Sequence, residues 1–282
     1  MPIYQAIVLA IVQGITEFLP ISSTAHLILV PWFLGWRDPG LTFDIAVHAG
    51  TLVAVLIYFR KDWAGLLKSV VRKGNLSQEA ARENRRLLLF LMVATLPGAL
   101  AGLALKSYAS HEFRHPFVIA GTLIGGALLM WQADRLSGGK GTLDPGRLTL
   151  THALILGSAQ ALAIVPGVSR AGATITAGLF LGLGRPAAAR VSFLMSAPII
   201  GGAVLKTGLD VVQTGGAELA GTDLALWPTL VGVVTSGLVG YAVIAWLLRY
   251  LEQKTFRIFV IYRILLGVLI CFAGWGLRHH LN

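Results

Sequence analysis

Long apolar runs separated by short polar stretches make up most of this chain, and the lengths of the runs predict its elements. Six runs, at about 43–59, 87–105, 117–133, 186–209, 227–248 and 258–277, are long enough to cross a bilayer as helices, for which about 20 apolar residues are needed. Two further apolar segments, 2–36 and 151–183, are interrupted, the first at Pro20 and the second at Pro166-Gly167. Proline lacks an N–H and its ring clashes with the turn before it, so each segment is predicted to be a helix, a break and a second helix. Each break leaves polar backbone and polar side chains that must be buried in protein or in a wet cavity, which favours re-entrant hairpins over fully spanning pairs. The expected fold is an all-α polytopic membrane protein with six transmembrane helices and two re-entrant helical hairpins.

The halves of the chain, 1–135 and 136–282, resemble each other and together form one integral membrane domain. Setting Pro20 on Pro166 aligns Ser23 with Ser169 and, one residue looser, Phe33-Leu34-Gly35 with Phe180-Leu181-Gly182. Thr42-Phe43 then pairs with Ser192-Phe193, and Ala54-Val55-Leu56 with Ala203-Val204-Leu205. Each half holds one hairpin and an odd number of spans, so the second is expected to sit upside down relative to the first. In such inverted repeats the broken helices of the two halves meet near the bilayer midplane and form the site.

Composition agrees with the pattern: 55% of residues are hydrophobic and only 13% charged, against about 25% charged in soluble domains. The formal charge of +10 would suit nucleic acid or anionic lipid, but the basic residues cluster in loops between apolar runs, which selects membrane lipid and not nucleic acid. The 60–86 loop carries Arg60, Lys61, Lys68, Arg72, Lys73, Arg82, Arg85 and Arg86, whereas the 210–226 loop carries Asp210, Glu218 and Asp223 and no base. By the positive-inside rule the first is cytoplasmic and the second external. Threading from there places both termini outside. The single cysteine, Cys271, lies in an apolar run and excludes an intrachain disulfide or a multi-cysteine metal site. The N-terminus lacks the positive region of a signal peptide and is read as part of the mature fold.

Candidate chemistry gathers at the two breaks. The first reads QGITEFLPISSTAH, residues 13–26, and places Gln13 and Glu17 on one helix face, one turn apart. Beyond Pro20, the hydroxyls of Ser22, Ser23 and Thr24 suit the N-terminus of a second helix, whose N–H groups attract anions. The second reads PGVSRAGAT and holds Ser169, Arg170 and Thr174. A charge such as Arg170 at the centre of a membrane helix costs at least about 2.5–3.5 kcal/mol, so it requires Glu17 or an anionic ligand as partner. If the hairpin tips meet, a guanidinium, two helix N-termini and several hydroxyls suit a phosphate or diphosphate better than a neutral solute. His26 is placed as a base or acid for a hydroxyl or a leaving group. His48 and Asp44 are read as structural, Arg263 as a packing or lipid-facing charge, and Gly98, Gly102, Gly121 and Gly125 as helix contact faces.

These residues carry a resemblance. QGITEFLPISSTAHL and PGVSRAGAT, with the Phe-Leu-Met-Ser-Ala-Pro segment at 193–198, the chain length and the repeat, resemble the undecaprenyl-diphosphate phosphatase family, integral membrane phosphatases of the bacitracin-resistance type. In that family's first motif Gln13 stands in a place shared by Glu and Gln, and in the second Ala171 stands where serine is common. The resemblance implies hydrolysis of undecaprenyl diphosphate to the carrier monophosphate and phosphate, in the bacterial inner membrane, with the site facing outward. It implies Glu17, Ser23, His26 and Arg170 as catalytic, Gln13, Ser22, Thr24, Ser169 and Thr174 around the diphosphate, and a divalent cation, Mg²⁺ or Ca²⁺, held by Glu17 and Gln13. Ser23 or a water is the nucleophile; both stay open, as does a homodimer. A secondary transporter or lipid flippase is the competing class, since broken helices in inverted repeats also build transporters.

Overall fold

A computed structural model describes residues 1–71, 77–105, 113, 115–213 and 226–280, side chains in the last helix being described to residue 273. Arg72, Lys73, Glu218 and Asp223, used above to orient the chain, lie outside the described residues. Over those residues the regular structure is helical throughout: α1 (Ile3–Thr16), α2 (Ser23–Leu34), α3 (Leu41–Tyr58), α4 (Arg60–Val71), α5 (Gln78–Ala104), α6 (Pro116–Ser137), α7 (Leu150–Ala161), α8 (Arg170–Phe180), α9 (Arg185–Gln213), α10 (Leu226–Gln253) and α11 (Arg257–His280). The six apolar runs correspond to α3, α5, α6, α9, α10 and α11. Of these, α5, α6, α9 and α10 are each long and apolar enough to cross a membrane within the described residues. The broken segments are α1–α2 and α7–α8, the latter with a single 3₁₀ turn, Leu162–Ile164, before the break.

The basic stretch 60–86 is not a loop throughout. It carries α4, bent 76° from α3, and the first turns of α5. Leu67, Val70 and Val71 are exposed on α4 beside Lys61 and Lys68, the composition of a helix lying in the membrane interface. Asp62 on α4 pairs with Arg190 on α9, and Arg85 Nε donates to Ser69 O at 3.0 Å, which ties the bend to its neighbours.

Helices of the two halves pack against one another. Helix α1 packs on α10 as α7 packs on α5; α3 packs on α10 as α9 packs on α5; and the pairs α3–α9 and α6–α11 join corresponding helices of the two halves. These pairs match helices at corresponding positions of the two halves. Close approach depends on small residues: a Cβ on Gly50 would collide with Val233 O, and one on Gly157 would lie 2.5 Å from Ala94 O. The glycines expected to form contact faces behave otherwise. A Cβ would meet nothing within 4 Å at Gly102, Gly121 or Gly125, and only at Gly98 would it touch a neighbour, Ile199 Cδ1 at 3.4 Å. Spacing alone could not tell a lipid-facing glycine stripe from a packed one.

The breaks leave carbonyl groups without helical partners in an apolar medium, where each orphaned group is costly. Arg263 answers this. It is fully buried, not lipid-facing, and its guanidinium donates to Pro20 O (3.0 Å) at the first break and to Gly167 O (3.0 Å) and Val168 O (3.1 Å) at the second. It also donates to Thr122 O and Leu123 O on α6, and Thr122 Oγ1 donates to Pro166 O at 2.7 Å. Gly126 leaves the room, since a Cβ there would collide with Arg263 Nη2. Removing one member of a buried charged network costs about 3–5 kcal/mol. Arg263→Met is therefore expected to unfold in detergent well below the wild-type midpoint, and Arg263→Lys to recover little of the loss, because an ammonium cannot reach both breaks at once. A methionine variant with the wild-type midpoint would show that the breaks stand without the clamp.

Candidate active site

Each break ends on a serine with positive φ, Ser22 at 77° and Ser169 at 70°, the two such non-glycine residues among those described. This backbone conformation is strained for a residue with a Cβ and persists only where the surroundings hold it. Both serines are N-caps: Ser22 Oγ accepts from Ala25 N and Ser169 Oγ accepts from Gly172 N. Ser22 Oγ also accepts from Gly167 N at 3.1 Å, so the two hairpin tips touch directly. The caps show that Ser22, not Ser23, corresponds to Ser169. That is the looser register already needed for Phe33 and Phe180; the proline alignment is one residue off at this point.

The next residue in each half opens a helix, Ser23 in α2 and Arg170 in α8, and both reach the same carboxylate. Arg170 Nη2 donates to Glu17 Oε1 at 2.7 Å, and Ser23 Oγ donates to Glu17 Oε2 at 2.6 Å. Oε2 also accepts from Gln13 Nε2 at 3.1 Å, one turn back on α1 as the spacing predicts, and lies 3.2 Å from His48 Nε2 on α3. Gln13 and Glu17 are buried, while the side chains of Arg170 and His48 keep 13% and 23% exposure; the carboxylate is reached past these two side chains. Apart from the capped N–H groups of Ala25 and Gly172, the first-turn N–H groups of α2 and α8 have no helical acceptor, so the N-termini of two helices, ends that favour anions, lie beside this cluster.

The other expected site residues take supporting places. Arg170 Nη1 donates to Ser192 O at 3.0 Å, and the Ser192 and Thr174 hydroxyls pair at 2.7 Å. Thr174 also donates to Arg170 O, so it braces the start of α8 from within the protein. Thr24 is half-buried on the first turn of α2. His26 turns away from Ser23: its Nδ1 lies 2.7 Å from Ser22 O and its Nε2 2.6 Å from Tyr262 Oη. A carbonyl only accepts, so Nδ1 carries a proton toward Ser22 O, and Nε2 shares a hydrogen bond with the phenol. The group beside the Ser23 hydroxyl is Glu17, which the reversal at Ser22 brings back to it; sequence spacing across such a turn is uninformative.

Three residues of the site, His48, Tyr262 and Ser192, lie outside the set that the sequence motifs nominate. His48, expected to be structural, is the one with a usable signal, because an ionisable residue inside an apolar span is a functional candidate by default.

A divalent cation would find one carboxylate, Glu17, and one amide oxygen, Gln13 Oε1, which is buried and accepts no hydrogen bond. No group of three or more His, Cys, Asp or Glu side chains able to hold a metal occurs among the described residues. One carboxylate and one amide oxygen fit a cation that takes its other oxygens from a diphosphate and water, as Mg²⁺ commonly does; they do not make a cage of protein alone.

Comparison with known proteins covers almost the whole chain. Residues 6–269 match the family described as Bacitracin resistance protein BacA. A protein named undecaprenyl-diphosphatase from Gemmatimonas aurantiaca is 46% identical over 270 residues, 96% of this chain and 97% of the relative. Another of that name from Moorella thermoacetica is 46% identical over 275 residues, covering 98% and 99%, and one from Magnetococcus marinus is 44% identical over 278 residues, covering 98% and 100%.

Proposed function

Because the chain belongs to the Bacitracin resistance protein BacA family, we infer that it is an undecaprenyl-diphosphatase. It is an integral membrane hydrolase that converts undecaprenyl diphosphate to undecaprenyl phosphate and inorganic phosphate, returning the carrier lipid to cell-wall synthesis and conferring bacitracin resistance. The observation that carries the chemistry is the Ser23 hydroxyl donating to Glu17 at 2.6 Å while Arg170 holds the other carboxylate oxygen. A transporter has no use for an activated hydroxyl at this point.

The diphosphate docks against Arg170 and the N-termini of α2 and α8, which neutralise it and the charge that builds on the transferred phosphoryl group. Ser23 Oγ attacks the terminal phosphorus, its proton passes to Glu17 Oε2 and from there to the bridging oxygen as that bond breaks, releasing undecaprenyl phosphate and leaving Glu17 ionised. Water then attacks the phosphoseryl group with Glu17 as base, and the proton Glu17 takes from the water passes to Ser23 Oγ as the phosphate leaves. His26, with its Nε2 held by Tyr262, orients the first turn of α2 through Ser22 O. A divalent cation bound to the diphosphate would be held by Glu17 and Gln13 and would neutralise phosphate charge.

Ser23→Ala and Glu17→Gln are expected to fall to the same low rate, since members of one catalytic unit fail together, and rapid quench with substrate labelled in the terminal phosphate should trap acid-stable label on wild-type protein. Loss of only about 10²–10³ in Ser23→Ala, as for removal of one oriented donor, with no trapped label, would assign the attack to water.

We further propose that both termini and the site face outward, which the basic residues of α4 and the start of α5 support. A cysteine at Ser77, in a Cys271→Ser background, should resist an impermeant reagent in intact cells; ready labelling would reverse the orientation.

A further inference from the structure

Glu17 has two nitrogen-bearing side chains from other elements against it, Arg170 and His48, and they differ in what they are attached to. Arg170 stands on the second hairpin, facing the anion site. His48 stands on α3, which is locked against α10 where Gly50 meets Val233 and Ser236 Oγ donates to Val47 O at 2.8 Å. Its ring is fixed from behind by Asp44 O, 2.6 Å from Nδ1. Both ring nitrogens thus face oxygens that only accept, an arrangement that a ring carrying two N–H groups satisfies. The oxygens they serve also differ. Arg170 takes Oε1, while His48 takes Oε2, the oxygen that accepts from Ser23.

We propose that His48 is a positioning residue, which keeps Glu17 against Ser23 when Arg170 changes partner from the carboxylate to the diphosphate. This rests on the phosphatase reading above. A diphosphate brings more negative charge to the guanidinium than one carboxylate does, so docking draws Arg170 Nη2 from Oε1 while Nη1 stays on Ser192 O. Without a second donor the carboxylate would be free to follow the arginine or turn toward the phosphate, and the Ser23 proton would lose its acceptor. Gln13 cannot serve alone, because it sits on α1 with Glu17 and gives a neutral contact that moves with the hairpin. His48 holds Oε2 from a helix outside both hairpins.

The test is phosphate release from a prenyl diphosphate by purified full-length protein, comparing wild type with His48→Gln, His48→Asn and His48→Leu. Glutamine extends an N–H about as far as Nε2 of histidine and should keep kcat within about threefold, whereas asparagine is too short and leucine has no donor. Both should lower kcat roughly 10- to 100-fold, the cost of misplacing a catalytic group, with KM within about twofold of wild type, because the diphosphate contacts are intact. Wild-type kcat in the asparagine or leucine variant would overturn the proposal. So would a raised KM at unchanged kcat, which would make His48 a substrate contact, or a glutamine variant as impaired as asparagine, which would make the hydrogen bond irrelevant. Should leucine fail to fold, the glutamine and asparagine pair alone decides. A wild-type protein that releases no phosphate would instead sink the phosphatase reading itself, a result distinct from an active wild type with the wrong variant pattern.

Discussion

A carboxylate in the interior of a membrane exists only where donors surround it, and the architecture of this protein can be derived from that requirement at Glu17. Its four partners come from four places: Gln13 on the helix that Glu17 ends, Ser23 across the first break, His48 on α3 and Arg170 on the other half of the chain. No single helix could present them. Bringing them together requires that two helices stop inside the protein, and that in turn exposes backbone which the apolar surroundings cannot solvate. Arg263 and Thr122 satisfy the carbonyls so released. The buried positive charge of Arg263 therefore supports the buried negative charge of Glu17 indirectly, through the shape of the two breaks.

The repeat supplies the geometry, and departures from it supply the chemistry. Ser22 and Ser169 are equivalent caps in the same unusual backbone conformation, and the residue after each points at the shared carboxylate. One half places a hydroxyl there, the other a guanidinium. With equivalent residues at both positions the site would hold two nucleophiles and no anion clamp, or two clamps and no nucleophile. In the mechanism we propose, this asymmetric pair on two similar breaks turns a hairpin contact into a phosphoryl-transfer site.

How much of this the sequence discloses follows from which interactions are local. The spans and the two breaks are legible because hydropathy and proline act over one helix. Gln13 and Glu17 sharing a face is legible because four residues make about one turn. The pairing of Glu17 with Arg170 is legible from the cost of leaving either charge alone in an apolar segment. Contacts that cross a break are not legible by counting: His26 lies three residues from Ser23 and bonds Tyr262, while Glu17 lies six residues away and receives the hydroxyl. A stretch such as 60–86, rich in charge, hides the amphipathic α4. Arg263 and His48 carry a signal in their isolation among apolar neighbours, but their partners are backbone carbonyls and a carboxylate contributed by distant segments, which no spacing reveals.

The mechanism we propose turns on an exchange in which Arg170 leaves the carboxylate for the diphosphate while Glu17 stays on Ser23. An experimental structure of the protein with a non-hydrolysable prenyl methylenediphosphonate would display that exchange at the atoms concerned. The expected result has the Arg170 guanidinium on phosphonate oxygens, Ser23 Oγ still within hydrogen-bond distance of Glu17, and the terminal phosphorus in line with Ser23 Oγ. Arg170 remaining on Glu17, with the diphosphonate bound away from both hairpin tips, would contradict it.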